Sequence, residues 1–251
     1  MSNYCDFAFV YDRLTENVSY SERADFIRTL FKRHGVPDGA DVLDLACGTG
    51  SLTEILADSY EMIGVDNSPE MLSIAQEKMF DAGKRILYLC QDMTELDLYG
   101  TVDAAVCMLD SLNHLESTED IRKVINKVGL FMNHGGIFVF DVNTIYKHRE
   151  ILGDNTFVYD CDDVYCVWQN HLNKDDSVDI SLDIFEQDGD AYFRSGEDFR
   201  EIACPVEDYI KWLGEAEFEI MDIYDEMSEK PLCETTQRAV FAARYIGKKE
   251  D

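Results

Sequence analysis

The sequence lacks the features that would place the protein in a membrane or outside the cell. None of the apolar runs in its 251 residues approaches the roughly 18 residues that a helix needs to span a bilayer. Its first residues contain no basic segment followed by an apolar one, as a signal peptide would. We therefore expect a cytoplasmic protein that has no membrane partner.

Paired metal-binding cysteines are also absent. The 8 cysteines include no Cys-x-x-Cys pair, and the shortest spacing, from Cys161 to Cys166, has no second pair to complete a zinc site. Cys90, Cys107 and Cys166 lie within apolar runs, where a free cysteine behaves as a small hydrophobic residue. The sequence therefore predicts free thiols and no bound metal.

Basic residues are scarce as well. The chain has 22 lysines and arginines against 51 aspartates and glutamates, which gives a formal net charge of −29. Such a field repels a phosphate backbone, because nucleic-acid binding depends on basic side chains that displace counterions. The charge predicts that DNA and RNA are not partners, although acidity alone also serves to keep a protein soluble.

From Asp41 onward, short apolar runs alternate with helical stretches. Five runs suit strands that are buried on both faces of a parallel sheet, at residues 42–45, 62–65, 86–90, 104–109 and 137–142. Helix starts are marked by Ser68 followed by Pro69, and by Ser117 with Asp120 three residues later. The alternation predicts a doubly wound α/β fold.

The pattern changes at residue 145. Residues 145–204 lose the helical period and form short alternating segments at 164–168, 178–185 and 191–193, which predicts an antiparallel β insertion before the sixth strand. A helix then starts at Pro205, and two strands follow near 219–224 and 239–246. We expect residues 1–144 and 205–251 to form one core domain with an N-terminal helical cap, and residues 145–204 to form a β subdomain over the carboxyl edge of the sheet.

A glycine turn follows the first predicted strand at Asp44-Leu45-Ala46-Cys47-Gly48-Thr49-Gly50. Gly48 and Gly50 let the backbone approach a ligand closely. Similar loops bind NAD, but the dinucleotide fingerprint requires a third glycine at the position of Thr53. A carboxylate at Asp44 disfavours a pyrophosphate and suits the cationic ammonium and sulfonium of S-adenosylmethionine. The loop therefore favours S-adenosylmethionine over NAD.

Two further acids follow at the ends of the next strands. Asp66 ends the second strand, where a carboxylate can accept hydrogen bonds from both ribose hydroxyls. Asp92 follows the third strand, where a carboxylate can accept from an adenine amino group. Each acid alone could be a solvated strand end, but three acids at one edge of one sheet favour a single cofactor site.

The residues 44–50, 65–72 and 91–93 resemble the first three motifs of class I S-adenosylmethionine-dependent methyltransferases. More narrowly, the pattern at Phe7–Leu14 and the segment Leu109–Leu115 resemble the small bacterial YqeM-like branch, which also has an antiparallel insertion before the sixth strand. The resemblance covers nearly the whole chain. It implies a Rossmann-like seven-stranded sheet and S-adenosyl-L-methionine as the methyl donor.

The resemblance also implies which residues contact the cofactor. Gly48 and Gly50 would line its methionine portion, Asp66 would bind ribose, and Asp92 and Met93 would flank adenine. The full predicted set is Tyr11, Tyr20, Asp44, Ala46, Cys47, Gly48, Thr49, Gly50, Asp66, Asn67, Met71, Gln91, Asp92, Met93 and Leu109. The two tyrosines would close over the cofactor from the N-terminal helices, the alternative being that they only pack.

The methyl acceptor is predicted to lie after the fourth strand, near Asp110, Asn113 and His114. Transfer from a sulfonium is an in-line displacement, so the protein contributes positioning and exclusion of water. A hydroxyl or ammonium acceptor must also lose a proton. We predict that Asp110 orients or deprotonates the acceptor, that His114 is a second catalytic candidate or a structural histidine, and that Asn113 contacts the substrate.

The insertion is predicted to cover this acceptor site. Tyr165, Trp168 and Arg194 are the predicted substrate contacts, because an aromatic and acidic pocket suits a small amine or polyhydroxy compound. The alternative is that the aromatic residues only pack on the sheet. YqeM-like relatives carry a Glu-x-His-x-Gln-Arg run before the next helix, and here the segment 197–202 retains only the glutamate.

The expected activity is methyl transfer from S-adenosylmethionine to a hydroxyl or amine of a small molecule. The segment at 109–112 has neither the Asn/Asp-Pro-Pro-aromatic sequence of adenine N6 methylases nor the cysteine nucleophile of cytosine C5 methylases. Two alternatives belong to other functional classes. One is a non-catalytic module that binds S-adenosylmethionine, and the other is an NAD-dependent oxidoreductase, against which Thr53 and Asp44 argue.

Overall fold

The computed structural model describes residues 4–247. In chain order the elements are α1 (Tyr4–Leu14), α2 (Tyr20–His34), β1 (Asp41–Leu45), α3 (Ser51–Leu56), β2 (Glu61–Asp66), α4 (Pro69–Asp81), β3 (Leu87–Cys90), β4 (Val102–Cys107), α5 (Thr118–Leu130), β5 (Met132–Asn143), β6 (Thr156–Cys161), β7 (Val164–Leu172), β8 (Val178–Asp188), β9 (Ala191–Glu201), α6 (Val206–Glu215), β10 (Phe218–Asp225) and β11 (Arg238–Tyr245). A 3-10 turn, Ser111–His114, follows β4, and a π-helical turn, Lys147–Leu152, follows β5. No helix within residues 4–247 is long and apolar enough to cross a membrane.

Seven strands form the central sheet, in the order β10-β11-β5-β4-β1-β2-β3. Neighbouring strands are parallel except at β11, which is antiparallel to both β10 and β5. The predicted Rossmann-like seven-stranded fold is therefore confirmed. The strand order reverses between β1 and β4, and such a switch point leaves a crevice at the carboxyl ends of the strands.

Helices cover both faces of this sheet. On one face, Ile121 and Val124 of α5 and Trp212 of α6 pack in a buried cluster with strand residues. On the other face, Ile27 of α2 and Leu56 of α3 belong to a second cluster. Burial on both faces explains why the central strands are continuous apolar runs rather than alternating ones.

The helices α4 and α5 begin where the sequence predicts. The hydroxyl of Ser68 accepts a hydrogen bond from the backbone N–H of Met71 at 3.2 Å, and Pro69 occupies the first turn. The hydroxyl of Ser117 accepts from the N–H of Asp120 at 3.2 Å. Both serines thus satisfy backbone donors that a helix start leaves free, which fixes each boundary.

The insertion is a separate four-stranded antiparallel sheet in the order β6-β7-β8-β9. The predicted insertion before the sixth strand of the central sheet is confirmed, but two strands differ from the sequence pattern. Strand β6 was not predicted from the sequence, and β9 continues to Glu201 instead of ending at Phe193. The pairing of β8 with β9 runs from Asp188 opposite Ala191 to Val178 opposite Glu201, so backbone hydrogen bonds rather than apolar side chains define the second half of β9.

The inner face of this sheet carries its own buried cluster. Cys166, Ile180 and Leu182 are almost inaccessible there, and they pack with Val10 of α1 and Leu152 of the π-helical turn. Helix α1 therefore lies between the inserted sheet and the rest of the chain. The extension of β9 has a functional consequence, because it carries Glu201 to the carboxyl edge of the central sheet.

Candidate active site

A cavity of about 770 Å³ lies at the carboxyl ends of the central strands, between the sheet, α1 and the insertion. Its volume falls within the range of small-molecule sites, and its place at the β1–β4 switch point is where open α/β sheets bind ligands. Most of the predicted cofactor residues line it: Tyr11, Tyr20, Asp44, Ala46, Cys47, Gly48, Thr49, Asp66, Asn67, Met71, Gln91, Asp92, Met93 and Leu109.

The glycine loop has a left-handed backbone at three positions. Ala46 has φ 60°, Gly48 has φ 54° and Gly50 has φ 73°. A β-carbon on Gly50 would lie 2.5 Å from the hydroxyl of Tyr88, so this position requires glycine. Gly50 is the predicted cofactor residue that does not line the cavity. Gly50 lets α3 start against β3, and its contact with the cofactor stays a prediction.

Asp44 lies beneath this loop, almost completely buried, and contributes to the cavity wall. The hydroxyl of Thr53, in α3, donates to its carboxylate at 2.6 Å. Burial raises the pKa of Asp44 to about 7, and the nearby charge of Asp66 adds to the rise, while the bond from Thr53 opposes it. A buried carboxylate with a single neutral donor suits a cationic group of a ligand.

Asp66 connects the end of β2 to the glycine loop. Its two carboxylate oxygens accept from the backbone N–H of Gly48 at 2.8 Å and of Ser68 at 2.9 Å. Burial raises the pKa of Asp66, while these backbone donors lower it. Each oxygen keeps a further lone pair for a ligand hydroxyl, so the geometry fits the predicted ribose contact.

The loop after β3 also lines the cavity. The carboxylate of Asp92 accepts from the N–H of Thr94 at 2.7 Å and caps the short turn that contains Met93. The side-chain amide of Gln91 exchanges two hydrogen bonds with the backbone of Asp97, each 3.0 Å long. These bonds hold the loop against the cavity.

Asp12 and Lys78, which the sequence analysis did not single out individually, connect α1 to the glycine loop. The hydroxyl of Thr49 donates to Asp12 at 2.6 Å, and Lys78 of α4 forms an ion pair with Asp12. Lys78 also donates to Thr49 at 3.1 Å and to Ser51 at 2.8 Å. The only sequence signal for Asp12 was its place in the Phe7–Leu14 pattern.

The two predicted tyrosines lie beside this connection and line the cavity. Burial raises the pKa of the Tyr11 phenol, and the nearby Tyr20 and Asp110 add to the rise. The hydroxyl of Tyr20 donates to Thr15 at 3.5 Å. Both rings therefore form part of the cavity wall, Tyr11 from α1 and Tyr20 from the start of α2.

The backbone after β4 is strained. Leu109 has φ 59° and Asp110 has φ 53°, which bulky residues seldom adopt, and strain of this kind concentrates at functional sites. The N–H of Asp110 donates to the carboxylate of Asp141 at 2.7 Å, which holds the turn in place. The turn directs Asp110 into the cavity.

The carboxylate of Asp110 is fully engaged by the protein. The guanidinium of Arg238 lies 2.7 Å from one oxygen, and the amide of Asn143 donates to the other at 2.9 Å. Burial alone would raise the pKa of Asp110, but Arg238 and Lys147 outweigh it and hold the pKa well below its usual range. Asp110 is therefore a weak base, and of its two predicted roles the geometry favours orientation.

A buried charge cluster, which was not predicted from the sequence, supports this turn. Asp141 of β5 is inaccessible, accepts from Arg23 at 3.2 Å and lies 3.0 Å from the guanidinium of Arg238. Burial lowers the pKa of Arg23, while Asp141 raises it. Asp141 sits inside an apolar run, and Arg23 and Arg238 come from opposite ends of the chain, so no local pattern connects them.

Asn113 does not line the cavity, which corrects the prediction that it contacts the substrate. Its side chain is inaccessible and donates to the carbonyls of Asn143 at 3.1 Å and Ile202 at 2.8 Å. Its oxygen accepts from the N–H of Asn143 at 2.9 Å. These bonds join the turn after β4 to β5 and to the residue that follows β9, so Asn113 is structural.

His114 and Glu201 face each other in the cavity, next to Asp110. His114 Nε2 lies 3.8 Å from Glu201 Oε1, and the His114 ring packs on Phe199 with 5.1 Å between ring centroids. One polar atom each from Asp110, His114 and Glu201 lie within 4.8 Å of one another. The sequence analysis missed Glu201, because β9 was predicted to end eight residues earlier.

The insertion contributes only one of its three predicted contacts. Trp168 lines the cavity with Cys166 on the inner face of β7. Tyr165 points to the opposite face, because side chains alternate along a strand. Arg194 lies on the outer face too, where it forms an ion pair with Asp183 and sits 6.0 Å from the ring of Phe185. The prediction that Tyr165 and Arg194 contact the substrate is therefore corrected, because both side chains lie on the outer face.

Comparison with known proteins agrees with this arrangement. A family model for a methyltransferase domain matches residues 42–136. The putative methyltransferase YqeM of Bacillus subtilis is 33% identical over 244 residues, 96% of this chain and 96% of that protein. A crystal structure of an S-adenosylmethionine-dependent methyltransferase from Clostridium acetobutylicum matches with TM-score 0.89 and 35% identity, over 97% of this chain and 99% of that one. The glycine/sarcosine N-methyltransferase of Parasynechococcus marenigrum is 31% identical over 140 residues, 54% of this chain and 49% of that protein.

The fold and these relatives define a class I methyltransferase that uses S-adenosylmethionine as its methyl donor. Within this class, the chain belongs to the YqeM-like family of bacterial methyltransferases. The alternative of an NAD-dependent oxidoreductase is thereby excluded, and so is a module that only binds the cofactor. The buried carboxylate of Asp44 and the oxygens of Asp66 fit the cationic and hydroxyl groups of this donor.

Proposed function

We propose that the protein transfers the methyl group of S-adenosylmethionine to the amino group of a small molecule. The observation that carries this proposal is the cluster of Asp110, His114 and Glu201 at the acceptor end of the cavity. The carboxylate of Glu201 and the imidazole of His114 can accept hydrogen bonds from an ammonium, and the charge of both carboxylates attracts it. The net charge of −29 adds a general preference for cations over phosphates.

An amine fits this cluster better than a hydroxyl does. An aliphatic alcohol holds its proton far more tightly than a carboxylate or an imidazole can remove it, whereas an ammonium, with a pKa of roughly 8 to 10, holds it much more weakly than an alcohol does. The relative from Parasynechococcus marenigrum, which matches over half of the chain, is named for methylation of amines. Both considerations favour N-methylation over O-methylation.

An amine also fits the cluster better than a divalent cation does. A cation would need oxygens from Asp110, but both of them are already engaged by Arg238 and Asn143. The positive charges of Arg238 and Lys147 beside the site repel a doubly charged metal ion about twice as strongly as a singly charged ammonium. We therefore keep the prediction that catalysis uses no metal.

In this proposal, successive groups of residues along the cavity bind different parts of the donor and the acceptor. Asp44 and the loop from Ala46 to Thr49 would hold the methionine portion of the donor, Asp66 its ribose, and Asp92 with Met93 its adenine. The acceptor would bind beneath the insertion, beside Trp168. The protein would contribute alignment of the two reactants and exclusion of water, because the sulfonium itself supplies the reactive methyl group.

The test is methyl transfer to pairs of compounds that differ only in an amino or a hydroxyl group. Suitable pairs are glycine with glycolate, ethanolamine with ethylene glycol, and glucosamine with glucose. S-adenosylmethionine with a deuterated methyl group would mark the product for mass spectrometry. We expect labelled product from at least one amine and none from its hydroxyl partner. Methylation of the hydroxyl partner alone would contradict the proposal.

A further inference from the structure

We propose that Glu201 is the catalytic residue that binds the acceptor ammonium and removes its proton, and that His148 is a positioning residue for Glu201. This inference rests on the proposed amine acceptor. The Glu201 side chain is 2% exposed, yet it lines the cavity. A buried carboxylate is costly unless its environment compensates the charge, so its place at a reaction site calls for a function.

The two oxygens of Glu201 have different surroundings. Oε2 accepts from the side-chain amide of Asn143 at 2.9 Å and lies 3.4 Å from Nε2 of His148. Within residues 4–247, Oε1 receives no hydrogen bond, and its nearest partner is His114 Nε2 at 3.8 Å. One oxygen thus holds the carboxylate in position, and the other is available to a ligand.

His148 has a defined orientation. Its ring is inaccessible, and Nδ1 lies 2.8 Å from the carbonyl oxygen of Asp176. A carbonyl oxygen only accepts, so Nδ1 carries the hydrogen. Nε2 has no hydrogen-bond partner within residues 4–247 and points at Glu201. Nε2 can hold the carboxylate by donating to Oε2, which requires a hydrogen on both ring nitrogens.

Glu201 is better suited than Asp110 to accept a proton. Both oxygens of Asp110 are engaged, and Arg238 and Lys147 keep its carboxylate ionised. The charged or titratable groups around Glu201 come from four elements. They are Asp110 after β4, His114 in the 3-10 turn, Lys147 and His148 in the π-helical turn, and Arg238 in β11. Of the two carboxylates, only Glu201 keeps an oxygen that receives no hydrogen bond from residues 4–247.

The proposed step balances as follows. An N–H bond of the acceptor ammonium breaks, the electron pair stays on nitrogen, and the proton goes to Oε1 of Glu201. The nitrogen pair forms a bond to the methyl carbon while the carbon–sulfur pair returns to sulfur, which gives the methylated ammonium and S-adenosylhomocysteine. The proton then leaves Glu201 for solvent past His114, whose side chain is 39% exposed.

The experiment compares Glu201→Gln with Glu197→Gln, using the amine that the paired assay identifies. Glu197 is a matched control, because it lies on the same face of β9, is buried and does not line the cavity. We expect Glu201→Gln to lower kcat by about 100-fold or more. It should abolish the decrease of kcat toward acidic pH and leave the affinity for S-adenosylhomocysteine unchanged. Glu197→Gln should keep kcat and the pH profile of the natural protein.

A second variant tests His148 and guards against loss of folding. His148→Asn keeps a donor for the carbonyl of Asp176 but removes Nε2. We expect a lower kcat and an unchanged KM for S-adenosylmethionine. The acidic limb of the pH profile, that is, the decrease of kcat toward acidic pH, should occur at a different pH than in the natural protein. If Glu201→Gln no longer binds S-adenosylhomocysteine, His148→Asn decides the test by itself.

The failures of the two proposals are distinguishable. If amines are methylated but Glu201→Gln keeps both kcat and its acidic limb, Glu201 is not the base and only this inference fails. An acidic limb that stays in place in His148→Asn would remove the positioning role of His148. Transfer to hydroxyl compounds alone would instead contradict the proposed function.

Discussion

Burial has the largest effect on the pKa of Asp44, the carboxylate beneath the glycine loop. Thr53 donates to Asp44 at 2.6 Å, and this is the one hydrogen bond that the buried carboxylate receives from a side chain within residues 4–247. Burial and the charge of Asp66 keep the pKa of Asp44 at about 7 despite that bond. The protonation of Asp44 therefore changes within the physiological range, and its state should control the binding of a cationic cofactor.

Cofactor affinity should fall as the pH decreases through about 7. A cation prefers the ionised carboxylate, so binding requires Asp44 to lose its proton, and the affinity should drop about tenfold per pH unit below the pKa. Calorimetry with S-adenosylhomocysteine between pH 5.5 and 8 measures this. Asp44→Asn should bind weakly and lose this pH dependence. Thr53→Val removes the donor, so the decrease in affinity should begin at a higher pH. An affinity that is flat across this range would rule out a contact between Asp44 and the cofactor.

Asp66 should contribute to cofactor binding in two ways. It offers oxygens to the ribose, and it holds the N–H of Gly48 in the glycine loop. We expect Asp66→Ala to weaken binding of S-adenosylhomocysteine at least tenfold, about 1.4 kcal/mol. The matched control is Asp97→Ala, since Asp97 is exposed and does not line the cavity. Equal affinities of the two variants would mean that the ribose binds elsewhere.

Residues at strand ends were more predictable from the sequence than residues that act through partners. Asp44, Asp66 and Asp92 all line the cavity, because each lies at or just after the carboxyl end of a parallel strand and such ends meet at one edge. Glu201, Arg238 and Asp141 were not predicted. Their contacts join elements far apart in the sequence, and no periodicity reports such contacts.

The polar contacts of Asp12 connect helix α1 to the site. Asp12 accepts from Thr49 at 2.6 Å and is paired with Lys78, so three separate elements meet beside the glycine loop. The contact is only partly buried, which limits the worth of the ion pair itself. Its main effect is to hold α1 over the cavity, which also brings Tyr11 to the cavity wall.

A double-mutant cycle measures this connection. Asp12→Asn and Lys78→Met should each weaken S-adenosylhomocysteine binding. Without the ion pair, ordering α1 over the cofactor costs more conformational entropy. The two effects should not add, with a coupling of about 0.5 kcal/mol or more. The pair of Lys123 and Glu95 on the protein surface provides the control. Its disruption by Lys123→Met should leave the affinity unchanged. Additive effects for Asp12 and Lys78 would show that the pair does not act as a unit.

Elements with a clear period were predicted well, and elements defined by backbone pairing were not. The five central strands and the starts of α4 and α5 follow from apolar runs and capping serines. The second half of β9 has a polar outer face, so its sequence does not alternate clearly, although its backbone pairs with β8 to the end. The π-helical turn, which carries Lys147 and His148, has no sequence signature of its own.

At the scale of the whole molecule, the cavity lies where three parts of the chain meet. The central sheet supplies the loops after its strands, the insertion supplies Trp168 and Glu201, and α1 supplies Tyr11. We propose that residues 145–204 act as the subdomain over the acceptor while the rest of the chain holds the donor. The donor half was predictable because its chemistry is encoded in short motifs. The acceptor half depends on contacts between the insertion and the core.

The most direct test of the proposed site is a crystal structure with S-adenosylhomocysteine bound. We predict that its amino group lies near Asp44, its ribose hydroxyls on Asp66 and its adenine beside Asp92. Its sulfur should face the end of the cavity where Asp110 and Glu201 lie, with space for an acceptor between them. A sulfur that points away from Asp110 and Glu201, or an adenine bound under the insertion, would contradict the proposed site.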